Sequence, residues 1–166
     1  MAKRQVFFSF EYLKDNWRAG QVRSMGKVDS SSTCSDNDWE EVKEKSDKAI
    51  KEWIDAQLKM RSCLVVLVGA TTSGRKWIDY EINKAYELGK GIVGINIYNL
   101  KNKDGKQTTK GSNPFYNILI GSNNERLSKY VTCYESIHTS SQYVYDDING
   151  NMEQLIQDAI DNKDSY

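Results

Sequence analysis

The chain holds a single histidine, His138, and three cysteines, Cys34, Cys63 and Cys133, set far apart along 166 residues. No spacing among them makes a metal-ligand set. One histidine in a late segment, with no G-x-S-x-G, gives no support to Ser-His-Asp hydrolysis. Two of the cysteines sit in apolar runs, the habit of buried free thiols in a reducing cytosol. Neither sign of charge is in excess, because Lys plus Arg and Asp plus Glu both number 23. The electrostatic footprint of a nucleic-acid or anionic-membrane binder is therefore missing. No apolar stretch approaches the ~20 residues of a membrane span, and residues 1–10 turn polar too soon for a signal peptide. The expectation is a cytoplasmic protein with no nucleic acid, membrane or metal among its partners.

What the sequence does carry is an alternation of strand-like and helix-like periods. RQVFFSF, 4–10, has the β-branched and aromatic profile of a buried strand. Leu13, Trp17, Val22 and Met25 then recur at roughly helical intervals before Gly26, a helix stop. KVDSSSTCSDND, 27–38, reads as a surface loop with a very short edge strand at 27–29. Asp38 and Glu41 have capping-box spacing and open a helix whose apolar stripe is Trp39, Val42, Ala49, Ile50, Trp53, Ile54 and Leu58. SCLVVLVGA, 62–70, predicts a central strand covered on both faces. A helix over 76–88 ends at Gly89, and GIVGINIY, 91–98, is a further buried strand. The lysine-bearing stretch 99–114 reads as a solvated loop. KYVTCYE, 129–135, is a last strand, and NMEQLIQDAI, 151–160, a last helix presenting Met152, Leu155, Ile156 and Ala159 on one side.

The length suits one domain, 1–166, with a core at 4–98, an excursion at 99–127 and a last strand and helix at 128–162. Right-handed crossovers put helices on both faces of such a sheet. The fold class expected is α/β, a flavodoxin-like three-layer sandwich with a mostly parallel five-stranded sheet in the order 2-1-3-4-5. Ligands of such sheets bind at the carboxyl ends of the strands flanking the switch point. Here those ends are SFE after strand 1 and GATTSG after strand 3.

GRKWIDYE, 74–81, opens the helix that follows the second of these ends. At 100° per residue Ile78, Ile82 and Ala85 form its buried stripe, and Trp77, Glu81 and Leu88 lie along one flank. Glu81 is thus a carboxylate at a boundary, overlooking the crevice, and a functional candidate. The plain alternative pairs it with Lys76 or Lys84 at the surface. On strand 1, Phe8 and Phe10 point one way and Phe7 and Ser9 the other, with Ser9 and Phe10 nearest the ligand end. No G-x-G-x-x-G fingerprint stands between a strand and a following helix, since the glycines of GKGIVG, 89–94, leave a helix and enter a strand, and no G-x-x-x-x-G-K-[ST] loop occurs, which disfavours dinucleotide-binding and P-loop enzymes. Asp79 and Glu81 diverge on the helix, so no close acidic pair forms. A phosphoacceptor receiver wants an aspartate where Val68-Gly69-Ala70 stands.

VFFSF followed by Asp15 resembles the first box of Toll/interleukin-1 receptor (TIR) domains, and Trp77-x-x-x-Glu81 resembles the W-x-x-x-E motif of TIR enzymes. AKRQVFFSFEY, DNDWEEVKEKSDKAIKEWID, SGRKWIDYEINKAYELGKGIVGI and NKDGKQTTKGSNPF resemble the ThsB-like TIR family of bacterial Thoeris anti-phage defence, over roughly residues 2–116. The resemblance implies an NAD glycohydrolase or ADP-ribosyl cyclase that releases nicotinamide and closes ADP-ribose into a cyclic isomer. It assigns Glu81 as the catalytic glutamate, with Trp77, Phe8, Ser9 and Phe10 lining the pocket and Arg75 beside the motif as a substrate-binding candidate. NAD is then a substrate, with no bound cofactor. The implied partners are an effector reached through the product, a phage-derived trigger and further copies of the chain. A non-catalytic interaction or nucleotide-sensing module is the alternative on the same fold. The R-D-x-x-P-G loop of many TIR domains is absent: residues 27–38 take its place, and the only proline is Pro114.

Overall fold

The computed structural model describes residues 3–29 and 42–166. Four parallel strands build the sheet, β1 (Val6–Ser9), β2 (Cys63–Val68), β3 (Gly91–Asn96) and β6 (Cys133–Tyr134), in the order β1-β2-β3-β6. Between β3 and β6 lies a two-stranded antiparallel ribbon, β4 (Leu119–Ile120) and β5 (Glu125–Arg126). Register is continuous across the centre: Val6 opposes Cys63, which opposes Gly91. Every residue of β2 and β3 is buried, so both strands carry apolar side chains on both faces. Leu64, Val66 and Val68 point to the layer formed by α2 (Asp47–Lys59) and α3 (Lys76–Glu87). Cys63, Val65 and Leu67 point to the layer formed by α1 (Tyr12–Arg23) and α4 (Ser141–Asn162). This is the expected three-layer α/β sandwich.

The sheet is one strand narrower than expected. The edge strand anticipated at 27–29 is reduced, among the described residues, to a single parallel bridge between Val28 and Arg4 outside β1. The cause is composition: Val28 is followed by Asp and Ser, which fit a pleated surface poorly. The expected capping box of Asp38 and Glu41, together with Trp39 and Cys34, lies outside the described residues. The single helix expected from there is interrupted, because 43–45 form a turn and α2 starts anew after Ser46, whose hydroxyl accepts from the Ala49 N–H at 3.2 Å. Gly89 ends α3 as expected, at φ 68°, with Gly89 N donating to Tyr86 O and Lys90 N to Ala85 O.

Two later regions differ from expectation. The last helix begins ten residues before 151: Ser140 caps it, and Val144 and Ile148 extend the buried row of Met152 and Ile156. Gly150 does not break it: the helix runs on through this position despite the cost of about 1 kcal/mol that a helical glycine carries relative to alanine. The excursion is only partly solvated. Phe115 and Leu127 are fully buried, and Ile118 and Ile120 nearly so. Gly94 makes this docking feasible, because a Cβ there would stand 2.8 Å from the Phe115 ring. Full burial of such a ring contributes roughly 2–3 kcal/mol. Upstream of Phe115 the loop lies against the end of β2, where a Cβ on Gly111 would meet Gly69 O at 2.3 Å.

Candidate active site

A cleft of about 350 Å³ opens at the carboxyl end of β1, between the start of α1 and the start of α3. Its apolar walls come from Phe7, Phe8 and Phe10 of the first segment, Tyr12 and Leu13 of α1, Trp53 of α2, and Trp77 and Ile78 of α3. Rings brace one another: Phe7 meets Trp53 edge-on at 6.1 Å, and Phe10 stacks on Tyr12 at 6.3 Å. Cations sit on these rings at the rim, Arg23 over Phe10 at 5.3 Å, Lys43 over Tyr12 at 5.5 Å and Lys76 over Trp77 at 4.7 Å. The chain has no net charge, so this basic rim is a local concentration. Flat apolar walls under a cationic rim suit an aromatic base joined to an anionic group.

Glu81 closes the bottom of the cleft. Helical phase placed it at a boundary, but it is only 4% exposed. A wheel gives direction and not depth, and the rings of the cleft supply the depth. The surface pairing with Lys76 or Lys84 does not form: Lys76 pairs with Asp47, and Lys84 with Asp55 and Glu87. Burial pushes the Glu81 carboxyl up to about 8, and the neighbouring Ser9 hydroxyl offsets only part of that rise. Among the described residues Ser9 Oγ and Glu81 Oε2 are both buried with no partner in full hydrogen-bond geometry, so the Ser9 hydroxyl acts on Glu81 only as a close neighbour. A buried carboxyl with no cation partner is costly to keep ionised, which makes Glu81 a candidate functional group.

The candidates from sequence thus converge. Glu81, Trp77, Arg75, Phe8 and Phe10 all line the cleft, while Ser9 lies behind its surface on the Glu81 side of β1. Sequence reasoning missed Glu11, whose carboxylate pairs with Arg75 and accepts from the Thr71 hydroxyl. Tyr12, Trp53, Arg23 and Lys43 were missed as well. Glu11 stands in the SFE segment named as a strand end, but nothing local connects it to residues 60 and 64 positions away. A second groove, about 540 Å³, runs along the other side of α1 past Asp15, Arg18, Lys103 and Lys106. It is larger and lined mainly by polar residues, and the buried carboxyl on it, Asp15, is paired with Arg18.

Known proteins resemble this chain in sequence. Residues 7–102, from β1 through β3 and its following turn, match the family model described as Thoeris protein ThsB, TIR-like domain. A protein of Bacillus cereus (strain MSX-D12), provisionally named cyclic ADP-D-ribose synthase ThsB1, is 38% identical over 125 residues, 69% of this chain and 62% of the relative. The chain therefore spans less than two thirds of that relative's length. The family match takes in β1, Arg75, Trp77 and Glu81, the elements that build the cleft. By both comparisons the chain belongs to the ThsB family of TIR-like Thoeris proteins.

Proposed function

We propose that the chain cleaves the N-glycosidic bond of NAD, releases nicotinamide and closes the remaining ADP-ribose into a cyclic isomer. The observation that carries it is the buried Glu81 carboxyl, which has no cation partner among the described residues, at the base of an aromatic cleft with a cationic rim. Nicotinamide leaves NAD with the bonding electron pair and departs neutral, so no acid is required to protonate it. The ribose becomes oxocarbenium-like, and an ionised Glu81 stabilises that charge where water is excluded. Trp77 and Phe10 supply flat walls for a base. Ring closure needs a nucleophile of the same ligand held nearer the anomeric carbon than water is. If a hydroxyl attacks, the Glu81 carboxylate accepts its proton. A carboxyl near 8 is largely protonated at neutral pH, and the positive pyridinium ring draws it toward the ionised form, so substrate binding releases a proton. The name of the Bacillus cereus relative, a cyclic ADP-D-ribose synthase, supports this reading.

In this reading the product is a signal that activates a downstream effector in the cytoplasm, the trigger comes from phage, and self-association shapes the active form. Among the described residues no helix is long and apolar enough to cross a membrane. The test is nicotinamide release from NAD by wild type and Glu81→Gln, with and without extract of phage-infected cells, and mass analysis of the product. Turnover lost in Glu81→Gln, with the fold kept, supports the enzyme. If both proteins bind NAD and neither turns it over even with extract, the cleft serves nucleotide sensing instead.

A further inference from the structure

Glu11 belongs to neither the W-x-x-x-E motif nor the aromatic wall, yet it ties together the two strand ends that frame the cleft. It follows β1 directly, and its side chain is 7% exposed. Both of its carboxylate oxygens are used, one by the Arg75 guanidinium and the other by the Thr71 hydroxyl, and both partners come from the β2–α3 connection. Arg75 is fixed a second time, its Nε donating to Thr71 O at 3.3 Å. A guanidinium has five N–H donors. Two are taken here by Glu11 and Thr71. The remaining donors belong to a side chain that is half exposed and lines the cleft.

We propose that Glu11 is a positioning residue that sets Arg75 across the cleft mouth to bind the pyrophosphate of the substrate. The proposal rests on the cleft being the NAD site. Long cationic side chains lose much rotamer freedom on binding, and a guanidinium already held at two points loses less. A buried carboxylate can hold it there because Thr71 satisfies the second oxygen. Arg75 then recognises a diphosphate through its outward donors, forming charge-assisted hydrogen bonds. Glu11 also borders the cleft, but both its oxygens are taken by Thr71 and Arg75, so it acts through Arg75.

The measurement is the dissociation constant of ADP-ribose, which carries the pyrophosphate, against adenosine, which carries no phosphate, by calorimetry on the full chain. Arg75→Gln weakens ADP-ribose binding about tenfold or more and leaves adenosine unchanged. Glu11→Gln, which keeps an acceptor for Thr71, weakens ADP-ribose about three- to tenfold with adenosine again unchanged. The double variant is no weaker than Arg75→Gln alone, as expected when one residue works through the other. Tighter ADP-ribose binding in Glu11→Gln would overturn the proposal, since Glu11 would then compete with the ligand for the guanidinium. Additive losses, equal losses for adenosine, or no effect of Arg75→Gln would overturn it too. Binding is read without turnover, so a wild type that never releases nicotinamide but shows these differences removes the catalytic reading and leaves this one. A wild type that turns over NAD with binding insensitive to both residues does the reverse.

Discussion

Asp15 on α1 and Glu81 on α3 are both carboxyls hidden from water, 2% and 4% exposed, and burial raises the pKa of each. Their surroundings differ. Asp15 has a cation: Arg18 donates to it at 3.0 Å and also to Leu100 O and Lys106 O, fastening α1 to the loop after β3. Its other oxygen rests on Gly69, where a Cβ would sit only 2.0 Å away. Glu81 has no cation among the described residues and faces a cleft. Burial and a raised pKa therefore do not separate a working carboxyl from a structural one. A cation partner separates these two: Asp15 has Arg18, and Glu81 has none among the described residues.

The comparison is broken most directly by Glu81→Gln, which should reduce nicotinamide release by 10³-fold or more, about 4 kcal/mol of transition-state stabilisation. A loss confined to a rise in KM would place Glu81 in binding alone. Asp15→Ala should do the opposite, destabilising the fold by about 3 kcal/mol because Arg18 is left buried without its counter-charge. Urea unfolding reads the loss, while activity per folded molecule holds to within several-fold.

Stability against pH sharpens the contrast further. The folded pKa of Glu81 is about 8 against a reference of 4.5. Below 4.5 it is protonated in both states and costs nothing. As pH rises from 4.5 to about 8 the unfolded chain loses the proton and the folded chain keeps it, so the wild type is progressively destabilised. Glu81→Gln removes that penalty and should be more stable by about 2–3 kcal/mol near pH 6.5, with the gap nearly closed at pH 4. A gap independent of pH would mean that Glu81 is not held protonated. Least in size, Gly69→Ala should cost about 2 kcal/mol through its clash with Asp15, visible as a lower Tm.

Much of the frame was legible in the sequence because it depends on local pattern. The unbroken apolar run at 63–68 and the Lys76–Glu87 stripe ending at Gly89 lie within two residues of the bounds expected. Illegible parts depend on contacts between distant segments. Val144 and Ile148 continue the last helix into a polar stretch whose Ser, Gln and Gly residues resemble a loop. Phe115 enters the core only because Gly94 leaves room for it, a fact no window around 115 contains. Of the site, Trp77 and Glu81 could be named from their spacing and their family motif. The depth of Glu81 and the Glu11 tie to Arg75 required the fold.

The backbone of Gly111 lies directly on Gly69 and Ala70, without side-chain padding at the crossing. That contact closes the tip of β2 from above, so among the described residues the way to Glu81 runs sideways between the first turns of α1 and α3. On the function proposed, a ligand would pass the rim cations before its base met the rings.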